Sequence, residues 1–406
     1  FLIIYIKKKS KSIYRKKPYK KNLFLFGTSF GFGFYLSGIH WIANSLTFDD
    51  SFKIFIPLAL VLIPLFLSLF FSLVVLIIGP FINLNLNSIL LLSGGLAFSD
   101  FLRAKILTGF PWNLWAYSIS WATELIQILN IIGLFAFNLI IISIFMFPAV
   151  LFFKINLSKK LLLLIYPIIL FLIFYIYGNH SINQNRSLLK LNNQKFNIKV
   201  ISPNFKLEYD IDLKEVESKL QKLIKYSEPT NNSKTLFVWP EGVFSGYNYE
   251  ELLIFKELFS KNFSKNHFIL FGVNKYNPKK NGNFNSLIIV NNELEILKEY
   301  HKQKLVPFGE FLPFEKLLRR IGLKKITEGH GSFLVGGKQE NLNLDNLNIL
   351  PLICYEVIFT KLIQKSPDET NLIINISEDG WFGDSIGPYQ HFPKGIFRAI
   401  EQNSFF

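Results

Sequence analysis

Hydrophobic positions are unevenly spread along this 406-residue chain. Long apolar runs fill the first half, at Leu23–Leu46, Ile54–Ile78, Ser88–Ala104, Leu125–Phe153 and Leu161–Tyr177. Crossing about 30 Å of hydrocarbon takes roughly 20 residues at ~1.5 Å of rise each, and most of the runs reach that length. Ser88–Ala104 is the shortest, with Asp100 and Arg103 at its end. In lipid a helix is the only local way to pair every backbone N–H and C=O, so each run predicts a helix. Residues 1–180 therefore read as a multi-pass α-helical membrane domain of about five full spans, with Phe1–Ile6 as the tail of a truncated earlier one. Gly27, Gly31 and Gly33 predict close approach of a neighbouring helix.

The pattern changes after Tyr177. The stretch GNHSINQNRSLLKLNNQ is polar and predicts a linker, with bounds 181–194. Short β-rich runs follow at Phe196–Ser202, Thr235–Trp239, Phe268–Val273, Ser286–Val290, Ile349–Ile353 and Asn371–Ile376. Helix-length segments such as Leu213–Tyr226 and Glu250–Ser260 separate several of them. Apolar strands alternating with helices predict a sheet buried on both faces, hence an α/β domain over 195–406.

Charge gives the membrane domain a direction. Nine basic residues and no acidic one lie in Lys7–Lys21, within a net charge of +15. Beside membrane spans such a block predicts a cytoplasmic loop facing anionic lipid. Five crossings from there end outside. The loop with Lys154, Lys159 and Lys160 then also falls inside, which agrees, and everything after about residue 180 is expected on the extracytoplasmic side. No nucleic-acid-binding module accompanies the basic residues, so nucleic acid is not an expected partner. Hydrophobic residues make up 50% of the chain and mean hydropathy is +0.30, too apolar for an ordinary soluble protein. Gly109–Asn113, with Trp115 and Tyr117, predicts an aromatic belt at the outer interface or, alternatively, a loop lining a lipid path.

The chain's single cysteine, Cys354, excludes an intramolecular disulfide. It follows an apolar run directly, in Ile-Cys-Tyr-Glu. A polar turn at a strand end is a poor environment for a merely packed cysteine, and sites of open α/β sheets gather beyond strand ends. A thiol attacks as thiolate, so it needs a base or a nearby cation. Glu241 ends an apolar strand after Trp239-Pro240, where partial burial makes a carboxylate a better proton acceptor. Lys302 could hold a developing oxyanion, helped by a backbone N–H after Cys354. Glu310 could orient Lys302 or the attacking group. Six histidines offer a competing Cys-His pair, but only His301 and His391 lie near these segments, and no metal-binding spacing occurs. Phe244, Tyr247, Tyr249, Phe311, Leu312 and Phe314, near the same segments, read either as core or as a hydrophobic rim.

These residues resemble the nitrilase, or carbon–nitrogen hydrolase, superfamily, whose members place a Glu-Lys-Cys triad on an αββα sandwich. WPE at 239–241, the Lys302 segment and CYE at 354–356 match its signatures in order. The preceding spans narrow the resemblance to the apolipoprotein N-acyltransferase family. FLFGTSFGFGFYLSGIHWI at 24–42, GFPWN at 109–113, HKQKLVPFGEFLP at 301–313 and NISEDGWFGDSIGPYQHF at 375–392 carry it further. The resemblance implies Glu241, Lys302 and Cys354 as catalytic residues. It implies Glu310 and Glu356 as supporting carboxylates, and Tyr355 as a neighbour whose N–H completes an oxyanion hole. The implied reaction moves an acyl chain from a phospholipid, through a Cys354 thioester, to the N-terminal amine of a diacylglyceryl-cysteine lipoprotein. Neither cofactor nor metal is implied. The implied setting is the bacterial inner membrane, with a monomeric protein and its catalytic domain on the periplasmic side. The alternative is a membrane-anchored nitrilase-type amidase acting on a small amide. Two features depart from the family pattern. A tryptophan often follows the first strand of the catalytic domain, where this chain has Phe205 and Tyr209, and a further span is expected after residue 406.

Overall fold

The computed structural model describes the chain apart from residues 14–18, 192–195, 207, 209–210, 231–232, 316–319, 321–331, 339 and 364–369, and apart from the side chains of 10–13 and 186–191. Tyr209, His330 and the middle of the basic block lie outside the described residues. The chain forms two compact units, Phe1–Leu188 with Ser385–Glu401, and Leu189–Asp384 with Gln402–Phe406.

The first unit is helical. Its main helices are α1 Leu2–Ile13, α2 Tyr19–Ile39, α3 Ile56–Ile78, α4 Leu86–Arg103, α5 Leu129–Met146 and α6 Leu157–Leu191. Three helical stretches among the described residues, Asp50–Phe81, Leu129–Phe152 and Leu157–Asn185, are long and apolar enough to cross a bilayer. The other two expected spans are also helices, α2 and α4. Glycine, serine and threonine, with two lysines at the start of α2, dilute their hydropathy. The run expected to end at Leu46 leaves the α-helix at Ile39 and continues as a 3-10 turn, His40–Thr47. The run from Leu125 is broken at Gly133, whose φ of +71° interrupts α5. The expected linker is instead helical as far as Leu191. Extending an existing helix needs no new nucleus, so even an asparagine-rich tail is carried along.

Small residues set the α2–α3 contact. A Cβ on Gly27 would lie 2.6 Å from Ser72 Cα, and one on Gly31 would lie 2.9 Å from Ser68 Cα, whereas Gly33 faces open space. Thr28 Oγ1 and Ser72 Oγ share a hydrogen bond of 2.8 Å across that contact. A buried ion pair joins Arg103 to Asp100 at 2.8 Å, and Asn138 Nδ2 donates to the other oxygen of Asp100. Arg103 also donates to the Phe110 carbonyl, which fixes the GFPWN loop. Trp112 is buried at 3% exposure and stacks on His391. Its indole N–H and that of Trp41 both donate to Gln390 Oε1. Trp112 is thus an inward-facing anchor for the helix Gly387–Gln402, not part of an interfacial belt. That helix belongs to the first unit, although its sequence position placed it in the second.

The second unit is a layered α/β structure. β1 Asn197–Val200, β2 Thr235–Val238, β3 His267–Asn277, β4 Gly282–Val290 and β5 Ile296–His301 form one sheet in that order. The β1–β2 and β2–β3 pairs are parallel, and β3–β4 and β4–β5 are antiparallel. β6 Leu342–Leu344, β7 Leu347–Ile353 and β8 Leu372–Ile376 form a second sheet, in which β7 and β8 run parallel. Successive side chains of a strand point to opposite faces, and the core divides accordingly. Leu236, Val238, Leu270, Leu287 and Ile289 pack against Ile349, Ile353, Leu372, Ile374 and Ile376 of the second sheet. Phe237, Trp239, Ile269, Phe271, Ile288 and Val290 point the other way, onto helix α7 Leu213–Ser227 and helix α8 Lys256–Asn262. α7 buries Val216, Leu220, Leu223 and Ile224, one stripe of an amphipathic helix. An Asp212–Glu215 capping box starts it.

Candidate active site

The three principal candidates each stand at or just past a strand end. Glu241 follows β2 after Trp239 and Pro240. Trp239 is fully buried, continues the ladder by donating its N–H to Leu270 O, and donates its indole N–H to Ser227 Oγ at 3.0 Å. Gly272 on β3 lets the Glu241 backbone approach, because a Cβ there would lie 2.9 Å from Glu241 Cα. Lys302 follows β5. Its N–H donates to Asn285 O and its carbonyl accepts from Gly336 N–H, both at 2.9 Å, so its backbone is held on two sides. Cys354 follows β7 and has a φ of +50°. That left-handed conformation costs a non-glycine residue about 1–3 kcal/mol. It turns the chain sharply from strand into the 3-10 segment Cys354–Ile358, the mechanics of a nucleophile on a tight elbow.

One cation gathers the carboxylates. Lys302, 1% exposed, lies 2.8 Å from Glu310 Oε1 and 3.6 Å from Glu241 Oε1. Burial alone would drive the Lys302 ammonium to lose its proton. The neighbouring charges of Glu241, Glu310 and Cys354 outweigh burial and raise its pKa, so it stays charged. Asn285 Nδ2 donates to Glu241 Oε1 at 2.8 Å and to Glu310 Oε1 at 2.9 Å, using both hydrogens to hold two carboxylates around one ammonium. Glu310 is fixed in turn by Val306 N–H, which donates to its second oxygen at 2.8 Å. Burial pushes the Cys354 thiol pKa up, as do Glu241 and Asp379, while Lys302 and a hydrogen bond with Ser377 pull it down. The net shift is upward, so proton removal needs a base in place.

The remaining candidates stand around this group. Glu356 is fully buried and faces only donors. It accepts from Tyr300 OH at 2.8 Å and from the backbone N–H groups of Gln303, Lys304 and Ile353. Its carboxyl therefore ties the Lys302 loop to the Cys354 turn, and burial, partly offset by Lys302 and those N–H groups, raises its pKa to about 7. The Tyr355 ring is buried against Phe359. Phe244 and Leu312 are core residues, and the hydroxyls of Tyr247 and Tyr249 donate to Ile211 O and Leu294 O. Of the expected hydrophobic rim only Phe314, at 76%, is strongly exposed. His301 stacks on Phe284 and bonds Ser286 Oγ.

Sequence reasoning assigned no role to Asn285, Ser377, Glu378 or Asp379. The signal for Asn285 was weak, since it lies in the polar first half of β4, ahead of the apolar residues 287–290, and a buried amide there must find partners. Ser377, Glu378 and Asp379 follow the end of β8, the same position relative to a strand that Cys354 holds. Glu378 N–H donates to Glu241 Oε2 at 3.2 Å. No group of three or more His, Cys, Asp or Glu among the described residues is placed to hold a metal ion.

The fold and this site mark the second unit as a carbon–nitrogen hydrolase domain, and the carbon-nitrogen hydrolase family model matches residues 207–406. The model of the apolipoprotein N-acyltransferase N-terminal domain matches residues 12–147. An apolipoprotein N-acyltransferase of Rhodopseudomonas palustris is 31% identical over 395 residues, covering 93% of this chain and 72% of the relative. One from Brucella suis is 31% identical over 390 residues, with the same coverage. An amidase structure from Nesterenkonia sp. aligns with 52% of this chain and 74% of its own, at 14% identity and a TM-score of 0.36. The chain belongs to the apolipoprotein N-acyltransferase family.

Proposed function

We propose that the second unit transfers an acyl chain by a two-step thioester mechanism. Glu241 takes the Cys354 thiol proton as sulfur attacks the ester carbonyl of a glycerophospholipid. The S–C bond forms, the ester C–O bond breaks, and the proton passes to the leaving alkoxide, giving a lysophospholipid. The N-terminal amine of a diacylglyceryl-cysteine lipoprotein then attacks the thioester. Glu241 receives the amine proton, and Cys354 leaves as thiolate and is reprotonated. Lys302 holds the oxyanion of both tetrahedral intermediates, with the Tyr355 N–H as second donor. Glu310 keeps Lys302 charged and aimed, and Asn285 holds Glu310 and Glu241 around it. The observation that carries this reading is the buried ammonium of Lys302 between Glu241 and Glu310, in electrostatic reach of a lone thiol. The membrane setting supports a lipid donor, because drawing an acyl chain into water costs about 0.8 kcal/mol per CH₂. In this reading α2 and α4 complete five crossings, and the second unit lies on the extracytoplasmic side.

Intact mass spectrometry of the purified protein incubated with phospholipid alone tests the first step. One added acyl mass is expected, absent in Cys354→Ser, and discharged by a diacylglyceryl lipopeptide that becomes N-acylated. Turnover of small amides with no acyl adduct from any phospholipid would favour an amidase instead.

A further inference from the structure

Residues after β8 bring a second polar group to the nucleophile. β7 and β8 are parallel and in register, with Ile353 opposite Ile376. Cys354 and Ser377 are therefore the next residues on adjacent strands. The Ser377 hydroxyl donates to Asp379 Oδ1, and the strand register sets it beside the Cys354 sulfur, whose ionised form it favours as a donor. A serine hydroxyl has one proton and two lone pairs. It cannot donate to the carboxylate and to the sulfur at once. With a thiol, it accepts from S–H and donates to Asp379. With a thiolate, the sulfur has no proton to give and becomes the charged acceptor.

We propose that Ser377 is a catalytic residue that switches its one proton between Asp379 and the Cys354 sulfur as the sulfur changes charge. When Glu241 removes the thiol proton, the hydroxyl rotates from Asp379 Oδ1 to Sγ and stabilises the thiolate. When the thioester forms, sulfur becomes a weak neutral acceptor and the hydroxyl returns to Asp379. When the amine displaces the acyl chain, the departing thiolate recruits it again. The Ser377 proton never leaves its oxygen, so the switch needs no further proton donor. Glu241, Lys302 and Asp379 are the charged groups that act on the sulfur from the other segments of the site. The role in turnover rests on the thioester reading, but the switch itself exists in the enzyme without substrate.

Cys354 is the chain's single cysteine, so whole-protein mass reads its alkylation by iodoacetamide without ambiguity. The pH midpoint of that alkylation separates the switch from a structural role. Ser377→Ala removes the donor and should move the midpoint up. Asp379→Asn removes the competing acceptor and its charge, and should move it down. Thioester formation in Ser377→Ala should slow roughly tenfold or more, the effect of losing one hydrogen bond to a charged group, and Ser377→Thr should restore it. An unmoved midpoint in Ser377→Ala, or an upward one in Asp379→Asn, overturns the proposal. If Ser377→Ala does not fold, Ser377→Val, which also lacks the hydroxyl, takes its place, because Asp379→Asn would lower the midpoint through its lost charge alone. Opposite midpoint shifts without any acyl adduct from phospholipid would leave the switch standing and remove the acyl-transfer reading.

Discussion

At the scale of single residues, Lys302 is the group on which the rest of the site depends. It is a buried cation between two carboxylates, and Asn285 holds the same two oxygens. Removing one partner from a buried charge network typically costs about 3–5 kcal/mol, because the others remain buried without compensation. Lys302→Met should therefore lower the thermal midpoint as well as abolish acyl transfer. Adding Glu310→Gln removes one stranded charge and should recover much of the stability and none of the activity. Equal midpoints for the single and double variants would mean that the carboxylates do not repel as this geometry requires. The principal residues were legible because each stands in a short motif whose chemistry is recognisable in isolation. Asn285 and Ser377 were not, because each sits among other polar residues, Asn283 and Ser286 in one case and Glu378 and Asp379 in the other, and nothing in the sequence singles it out. Only the pairing of β4 with its neighbours, and of β7 with β8, reveals what each one faces.

At the scale of elements, hydropathy located the helices but not their ends or contacts. Ile39 and Gly133 interrupt apolar runs that composition alone leaves continuous, because a 3-10 turn and a positive φ are backbone events that a run of apolar side chains does not encode. The glycines of α2 show how far a pattern can be read. Gly27, Gly31 and Gly33 all suggested close helix packing, yet of these only Gly27 and Gly31 meet α3, and Gly33 looks into open space. Gly27→Ala would place a methyl 2.6 Å from Ser72 Cα. The helices would have to part, at a cost of about 1–3 kcal/mol for overpacking. Gly33→Ala meets nothing within 4 Å and should be neutral or stabilising by about 0.5–1 kcal/mol, as alanine replaces glycine inside a helix. Thermal unfolding in detergent reads both, and equal effects would show that this glycine face is not the contact that sets α2 against α3.

At the scale of the whole molecule, the question is on which side of the membrane the catalytic unit works. Among the described residues three helical stretches are long and apolar enough to cross a bilayer, and an odd count of five requires α2 and α4 as well. α4 is the hinge of the argument, because its buried Asp100–Arg103 pair would lie at a membrane boundary. Buried intramembrane charges persist when they are paired, as these are. The single native cysteine makes the topology directly measurable. In a Cys354→Ser background, Lys159→Cys and Lys225→Cys place one thiol on an exposed position of each unit. A membrane-impermeant maleimide added to intact spheroplasts should label Lys225→Cys at once and Lys159→Cys only after permeabilisation. Labelling of both from outside would mean that α6, the helix between the two positions, does not cross. Labelling of Lys159→Cys alone would mean that α4 does not cross, which puts the Lys159 loop outside and the second unit in the cytoplasm while the basic block stays inside. Inverting the whole protein would give the same labels but would contradict the basic block at Lys7–Lys21, whose charge favours the cytoplasmic side by about 1 kcal/mol per residue near an anionic surface.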